Sequence, residues 1–251
     1  MTISIKKLDE EGSVSRYLVK GASTALINAI RRSVMLDTPC LAIEDVSIYQ
    51  NDSVLFDEML AQRLGMLPVK TDKTYKLGDK VKLVVEKEGP CTVYSKDIKS
   101  TDPKIDITDK NIPITKLTKD QKIKIEMQAI MMPGREHAKW QPAIVSYNEV
   151  PQFVVSKDCN GCNHCEKACP VKIIEIKGKK PVLKNAYNCT LCGACVDACE
   201  KEALKLGFDK GEYIFSIEAV AGLSEKETID GATKAIIEKS KEFAKALQKL
   251  K

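Results

Sequence analysis

The chain has 251 residues, 43% hydrophobic and 30% charged, with a formal net charge of +5. This is the composition of an ordinary soluble protein, long enough for one large domain or two to three small ones. No run approaches a membrane span and MTISIKKLDEEG lacks the apolar core of a signal peptide, so no membrane association and a cytoplasmic location are expected.

In chain order, TISIKKL alternates Ile3 and Ile5 with polar residues, the period of a strand. Residues 23–36, STALINAIRRSVML, carry a helical stripe of Leu26, Ile30 and Val34 flanked by Ile27; Ser23 or Thr24 caps it and Pro39 ends it. That stripe is expected to pack inward, with Arg31 and Arg32 at the edge. In residues 57–69, DEMLAQRLGMLPV, the residues Met59, Leu60 and Leu64 make a short apolar helix face. Asp57 and Glu58 suit its positive N-terminus, Gly65 is expected to supply a left-handed stop, and Pro68 prevents continuation. Strand patterns recur in VKLVV (Val81, Leu83, Val85) and KIKIEMQ (Ile123, Ile125, Met127). The stretch from Lys96 to Lys119 reads as surface loops. Asp102, Asp106 and Asp109 fall within it, in a loop and in the wrong order for a two-metal carboxylate motif. In EHAKWQP, residues 136–142, His137 and Trp140 are expected to pack rather than ligate, because the other histidine, His164, sits in a cysteine loop. Cys40 and Cys91 lack partner spacing and read as buried or half-buried residues.

The other eight cysteines lie between Cys159 and Cys199, in two runs of spacing C-x2-C-x2-C-x3-C: CNGCNHCEKAC and CTLCGACVDAC. In a chain without export signals that density points to metal rather than disulfides. Zinc sites use C-x2-C pairs separated by a longer loop, whereas two complete 2-2-3 runs fit two [4Fe-4S] clusters. Three cysteines wrap one corner of a cubane and the fourth ligates the other cluster. The expected ligands are Cys159, Cys162, Cys165 and Cys199 for cluster one, and Cys189, Cys192, Cys195 and Cys169 for cluster two. At roughly −2 per cluster the net charge falls to about +1, which speaks against a nucleic-acid surface, as does the lack of a helix-turn-helix or stacking platform. The halves repeat at an offset of thirty: Ala168 matches Ala198, Ile174 matches Leu204, and Ile176 matches Leu206. This segment resembles bacterial-type dicluster ferredoxins. It departs from them where Glu200 replaces the proline that Pro170 provides in the first half, which is expected to alter solvent access and potential at cluster one.

After the insert, EYIFSIEAV places Tyr213, Phe215 and Ile217 on one strand face. Residues 223–250 then read as one long helix with a Ser224/Glu227 capping box. Ile229, Ala232, Ile236, Ser240, Phe243, Leu247 and Leu250 approach a heptad seam. The helix either packs within its own chain or offers that seam to a second subunit; Gly231 and Lys239 weaken a strict coiled coil.

Three stretches, INAIRRSVM, DEMLAQRLGMLPV and EHAKWQP, together with the terminal strand–helix pair, resemble the D subunit family of archaeal RNA polymerase, related to the eukaryotic third-largest subunit and the bacterial α N-terminal domain. The resemblance implies an α+β fold. A discontinuous dimerisation domain (1–38 and 208–251) encloses a mainly β middle domain (39–150), and a ferredoxin-like domain with two [4Fe-4S] clusters spans 151–207. It implies a non-catalytic platform subunit of DNA-directed RNA polymerase. Such a subunit pairs with the small L subunit and contacts the large catalytic and other small subunits, meeting DNA only through the complex. It further implies interface roles for Leu26, Ile30, Arg31, Arg32, Val34, Ile229, Ile236, Phe243 and Leu247, with Arg63 reaching a neighbouring subunit. No residue of this chain is expected to be catalytic: no Walker loop, nucleophile constellation or carboxylate triad is found. The alternative is a ferredoxin-type electron-transfer subunit of a larger oxidoreductase.

Overall fold

The computed structural model describes residues 2–249, so the Leu250 end of the helical stripe lies outside the described residues. The fold is α+β. Strands β1 (Ser4–Glu11) and β2 (Val14–Lys20) lead into helix α1 (Thr24–Asp37), strand β3 (Pro39–Asn51) and helix α2 (Asp57–Gly65). Strands β4 (Lys80–Glu88), β5 (Cys91–Tyr94), β6 (Lys99–Ser100), β7 (Pro113–Leu117), β8 (Lys122–Pro133) and β9 (Ala143–Val155) follow. The cysteine segment holds α3 (His164–Ala168), the hairpin β10 (Ile174–Lys177) and β11 (Lys180–Leu183), and α4 (Ala194–Asp197). Strand β12 (Leu204–Ala219) and helix α5 (Glu225–Gln248) complete the chain.

Two compact units divide these elements: residues 1–11, 15–27 and 146–216 form one, and residues 12–14, 28–145 and 217–251 the other. In the first, the sheet order is β1-β2-β12-β9. Leu18, Val150 and Ile214 form a small core there, with Leu8, Ala186 and Tyr187 against it. A second cluster buries Cys165, Cys169 and Cys195 with Ile173, Ile174 and Leu204.

The other unit is built on the antiparallel sheet β3-β8-β4-β6 and the ribbon β5–β7. Its strands follow the alternation read from sequence: Val81, Leu83 and Val85 face Ile123, Ile125 and Met127 in a continuous core. The Lys96–Lys119 stretch departs from its reading as surface loops. It contains β7 and buries Ile98, Ile105, Ile107, Ile114 and Leu117. Single apolar residues among Asp, Lys, Thr and Pro give no period, yet each plugs the open side of the β3-β8-β4 core.

Both early helices are rotated from the expected faces. On α1 the buried positions are Ile27, Ser33 and Val34, while Leu26 is 37% exposed and Ile30 half-buried. A helical register one residue later, through Ile27 and Val34, faces the core and leaves Leu26 outside. On α2, Leu60 and Leu64 are buried but Met59 is 53% exposed. Gly65 is not left-handed. The helix ends in a tightened turn in which the Met66 N–H donates to Gln62 and Arg63 carbonyls and the Leu67 N–H to Leu64. Arg63 donates to the Pro113 carbonyl of its own chain at 2.6 Å.

Helix α5 begins with the expected capping box, Ser224 accepting from the Glu227 N–H while Glu227 accepts from the Ser224 N–H. Its first half packs through Thr228 and Ala232, both at 0% exposure. Gly231 lies so close that an added Cβ would stand 2.8 Å from Thr38 Cγ2. Ser33 Oγ donates to the Ala232 carbonyl, and the Thr38 hydroxyl to Ser33 and Thr228 carbonyls. Asp37 bridges Lys239 at 2.6 Å and Arg135. Burial pushes its carboxyl up, but hydrogen bonds from Lys239, Arg135 and Ser33 outweigh that and hold it below the usual range.

Candidate metal centre and partner surface

The two cysteine loops have the same backbone. Gly161 (φ +74) and Asn163 (φ +67) punctuate the first, and thirty residues later Leu191 (φ +57) and Gly193 (φ +79) punctuate the second. Beyond them, Lys172 (φ +51) matches Glu202 (φ +48). Left-handed residues spaced two apart turn the chain sharply at equivalent places in both loops. For Leu191 that conformation costs about 1 kcal/mol, which the surrounding loop must over-determine. Gly161 is doubly required, since a Cβ there would also lie 3.0 Å from Lys179 Cα.

These loops bring the eight thiols around two cavities. Cys159, Cys162, Cys165 and Cys199 line one, with Ile176, Pro181 and Leu204 among the walls. Cys169, Cys189, Cys192 and Cys195 line the other, with Ile174, Leu183 and Leu206. Each cavity therefore takes three cysteines from one half and one from the other, and its apolar wall likewise mixes the two halves. Pro170 lines the second cavity and Glu200 the first, where His164 Nδ1 lies 3.7 Å from the Glu200 carboxylate.

The donor set fits polynuclear iron–sulfur cores. Four soft thiols per cavity suit iron. Among the described residues no three His, Cys, Asp or Glu side chains close on one point as the ligands of a single ion would. Burial pushes the Cys165 and Cys195 thiols up. The Ala194 N–H, and then the Thr190 hydroxyl, hold the Cys192 thiol below its usual range. When bound, such cores supply cross-links among the thiolates and a site that can accept an electron.

The remaining candidates separate cleanly. Trp140 is buried and its Nε1–H donates to the Ile130 carbonyl at 2.9 Å. His137 Nδ1 accepts from the Lys139 N–H, and Lys139 Nζ stands 4.6 Å from the Trp140 ring centre; both residues pack. Asp102 accepts from the Tyr75 hydroxyl, Asp106 pairs with Lys110, and Asp109 accepts from the Asn111 N–H, so the three serve separate local turns. Cys40 is fully buried, which pushes its thiol up to about 12, and Cys91 is half-buried.

Arg31 is half-buried with Nε and Nη2 on Asn28 Oδ1, and Arg32 is exposed. On α5, Ile229 and Ile236 are half-buried, whereas Ile237, Phe243 and Leu247 are 52%, 67% and 50% exposed. Every described residue from Ile237 onward is exposed. Sequence reasoning missed Thr38, Thr228 and Arg16, whose partners lie far away in the chain. No helix among the described residues is long and apolar enough to cross a membrane.

Comparison with known proteins is concordant. Residues 46–147 match the RNA polymerase Rpb3/RpoA insert domain and residues 158–204 a 4Fe-4S dicluster domain. DNA-directed RNA polymerase subunit Rpo3 of Methanosarcina acetivorans is 35% identical over 267 residues, covering 100% of both chains. That of Archaeoglobus fulgidus is 34% identical over 264 residues, again covering 100% of both. The Methanothermobacter thermautotrophicus subunit is 35% identical over 245 residues, covering 91% of this chain and 92% of its own. With its α+β fold, its polymerase insert domain and its iron–sulfur segment, the chain belongs to the archaeal DNA-directed RNA polymerase subunit Rpo3 family.

Proposed function

We propose that this polymerase subunit is a non-catalytic platform, which pairs with the small L subunit and holds two [4Fe-4S] clusters whose role is structural or regulatory in assembly. The observation that carries the reading is α5: its first half packs on its own chain, while Phe243 and Leu247 continue the apolar stripe at 67% and 50% exposure. The α1 residues Leu26, Ile30, Arg31, Arg32 and Val34 serve the same dimerisation domain, comprising 1–38 and 208–251. Within it Val34, fully buried, acts by shaping the helix rather than by touching a partner. The middle domain spans 39–150 and the ferredoxin-like domain 151–207. The chain works in the cytoplasm and meets DNA only through the assembled enzyme, contacting the large catalytic and other small subunits.

Cluster one takes Cys159, Cys162, Cys165 and Cys199, and cluster two takes Cys169, Cys189, Cys192 and Cys195. The two four-thiol cavities support this partition. Metal binding then contributes folding free energy to a segment with little apolar sequence of its own. Co-expression with the L-type subunit or with a redox-enzyme subunit tests the pairing: co-purification with L is expected, and capture only by the redox subunit overturns it. Cys162→Ser and Cys192→Ser, assayed for pairing and for full assembly, test the clusters' role. Pairing is expected to survive and assembly to suffer; unimpaired assembly with an iron-free insert rejects that role.

A further inference from the structure

The two cysteine loops share a backbone but not their anchorage. The second is preceded by a 3-10 turn, Ala186–Asn188, seated on the β1-β2-β12-β9 sheet. Ala186 and Tyr187 pack against Leu18, Val150 and Ile214. Arg16, from β2, reaches the same turn. Its Nη1 donates to the Tyr187 carbonyl at 3.2 Å and its Nη2 to Asn188 Oδ1 at 2.9 Å. The same guanidinium grips Asp9 of β1, Nε to Oδ1 at 2.7 Å and Nη2 to Oδ2 at 2.5 Å. One planar fork thus ties both strands of the edge hairpin to the residue next to Cys189. The turn transmits this grip, because the Cys189 N–H donates to the Ala186 carbonyl and Asn185 Oδ1 accepts from the Tyr187 N–H.

At the thirty-residue equivalent, ahead of Cys159, the hydrogen bonds are of another kind. Ser156 Oγ and Asp158 bond each other, and the Ser156 N–H donates to Ala203. Those partners belong to the cysteine segment and its exit, not to β1 or β2.

We propose that Arg16 is a positioning residue that couples occupancy of the cavity formed by Cys169, Cys189, Cys192 and Cys195 to the order of the β1–β2 hairpin, a coupling weaker for the other cavity, whose loop is held through Ser156, Asp158 and Ala203. The inference rests on the reading of those cysteines as cluster ligands. A filled cavity fixes Cys189, hence the turn, hence the two acceptors that orient the guanidinium. An unfilled one releases the turn and leaves Arg16 only Asp9. Coupling is reciprocal: what cluster two lends the hairpin, the hairpin lends to retention of cluster two.

The test uses the full chain purified anaerobically, with hydrogen exchange of residues 4–20 read by mass spectrometry beside iron content and electron paramagnetic resonance. Cys192→Ser is expected to speed exchange in the hairpin by about fivefold or more, a coupling at the lower end of known values, and Cys162→Ser by less than about twofold. In an Arg16→Ala background Cys192→Ser is expected to add nothing. At equilibrium with a chelator, Arg16→Ala is expected to weaken retention of cluster two by about the same factor, with Arg16→Lys intermediate because an ammonium cannot span both partners. Stepwise chelation of the unsubstituted chain gives the same comparison if a variant fails to accumulate. Equal effects of the two cysteine substitutions, or an undiminished Cys192→Ser effect without Arg16, overturn the coupling alone. Unsubstituted protein that takes up no iron overturns the cysteine reading and the coupling with it.

Discussion

Gly231→Ala should destabilise the helix it sits in, against the ordinary expectation for a helical glycine. Alanine is favoured over glycine in a helix interior by about 1 kcal/mol. Here, however, the new Cβ would stand 2.8 Å from Thr38 Cγ2, about 0.7 Å inside a comfortable carbon–carbon contact. Thr38 cannot yield easily. It is 3% exposed, its hydroxyl is held by Ser33 and Thr228 carbonyls, and its branched Cβ is stiff. Overpacking of this kind costs about 1–3 kcal/mol. The mid-range cost less the propensity gain leaves a net loss of about 1 kcal/mol, or about fivefold faster amide exchange in the first half of α5. In a Thr38→Ala background the clash is gone, and the same substitution should slow exchange about fivefold relative to Thr38→Ala alone. The sign reversal is the diagnostic. If Gly231→Ala slows exchange with Thr38 in place, close approach is not what the glycine provides.

Phe243→Glu should leave the monomer's stability within about 0.5 kcal/mol, since the ring is 67% exposed. It should weaken capture of the small partner subunit at least about tenfold in a titrated pull-down. Trp140→Phe should cost about 1 kcal/mol in thermal unfolding, because it removes the 2.9 Å bond from the buried indole to the half-buried Ile130 carbonyl. Glu227 bonds Lys73 first and then the Ser224 backbone and hydroxyl, which lowers its carboxyl from 4.5 to about 2. A depressed folded value stabilises fully above about 4.5, and that contribution fades as pH falls toward 2. A carboxyl-carbon titration by nuclear magnetic resonance should therefore place Glu227 near 2, and Lys73→Ala should move it back up.

What could be read from the sequence was what repeats locally. The 2-2-3 cysteine spacing, which falls within the 4Fe-4S dicluster match, the capping box at Ser224 and the alternation of Val81, Leu83 and Val85 each declare themselves within a few residues, and the last two stand as read. What escaped depends on partners far away in the chain. On α1 the expected stripe holds at Val34 but not at Leu26, whose place inside is taken by the equally apolar Ile27, and only the packing chooses between them. Ile105, Ile107 and Ile114 were hidden in a polar stretch whose period is set by a sheet it does not join end to end. Arg16 looked like any charged strand residue, since Tyr187 and Asn188 lie more than 170 positions on.

The packing of the cysteine segment bears on why a polymerase subunit would hold iron at all. Of the six buried residues in its core, Cys165, Cys169 and Cys195 are three; Ile173, Ile174 and Leu204 are the others. Only these three aliphatic side chains are buried there, with Phe153, Leu183 and Leu206 among the partly buried hydrophobics against them. With so thin a core, cross-linking of the thiols contributes directly to folding, so the segment's fold and its metal content should rise and fall together. That segment lies in one compact unit with β1, β2 and most of β12. If the proposed ligand partition holds, iron loss should act on the terminal sheet as a packing change, and loss from the cavity of Cys169, Cys189, Cys192 and Cys195 should be felt there more strongly than loss from the other.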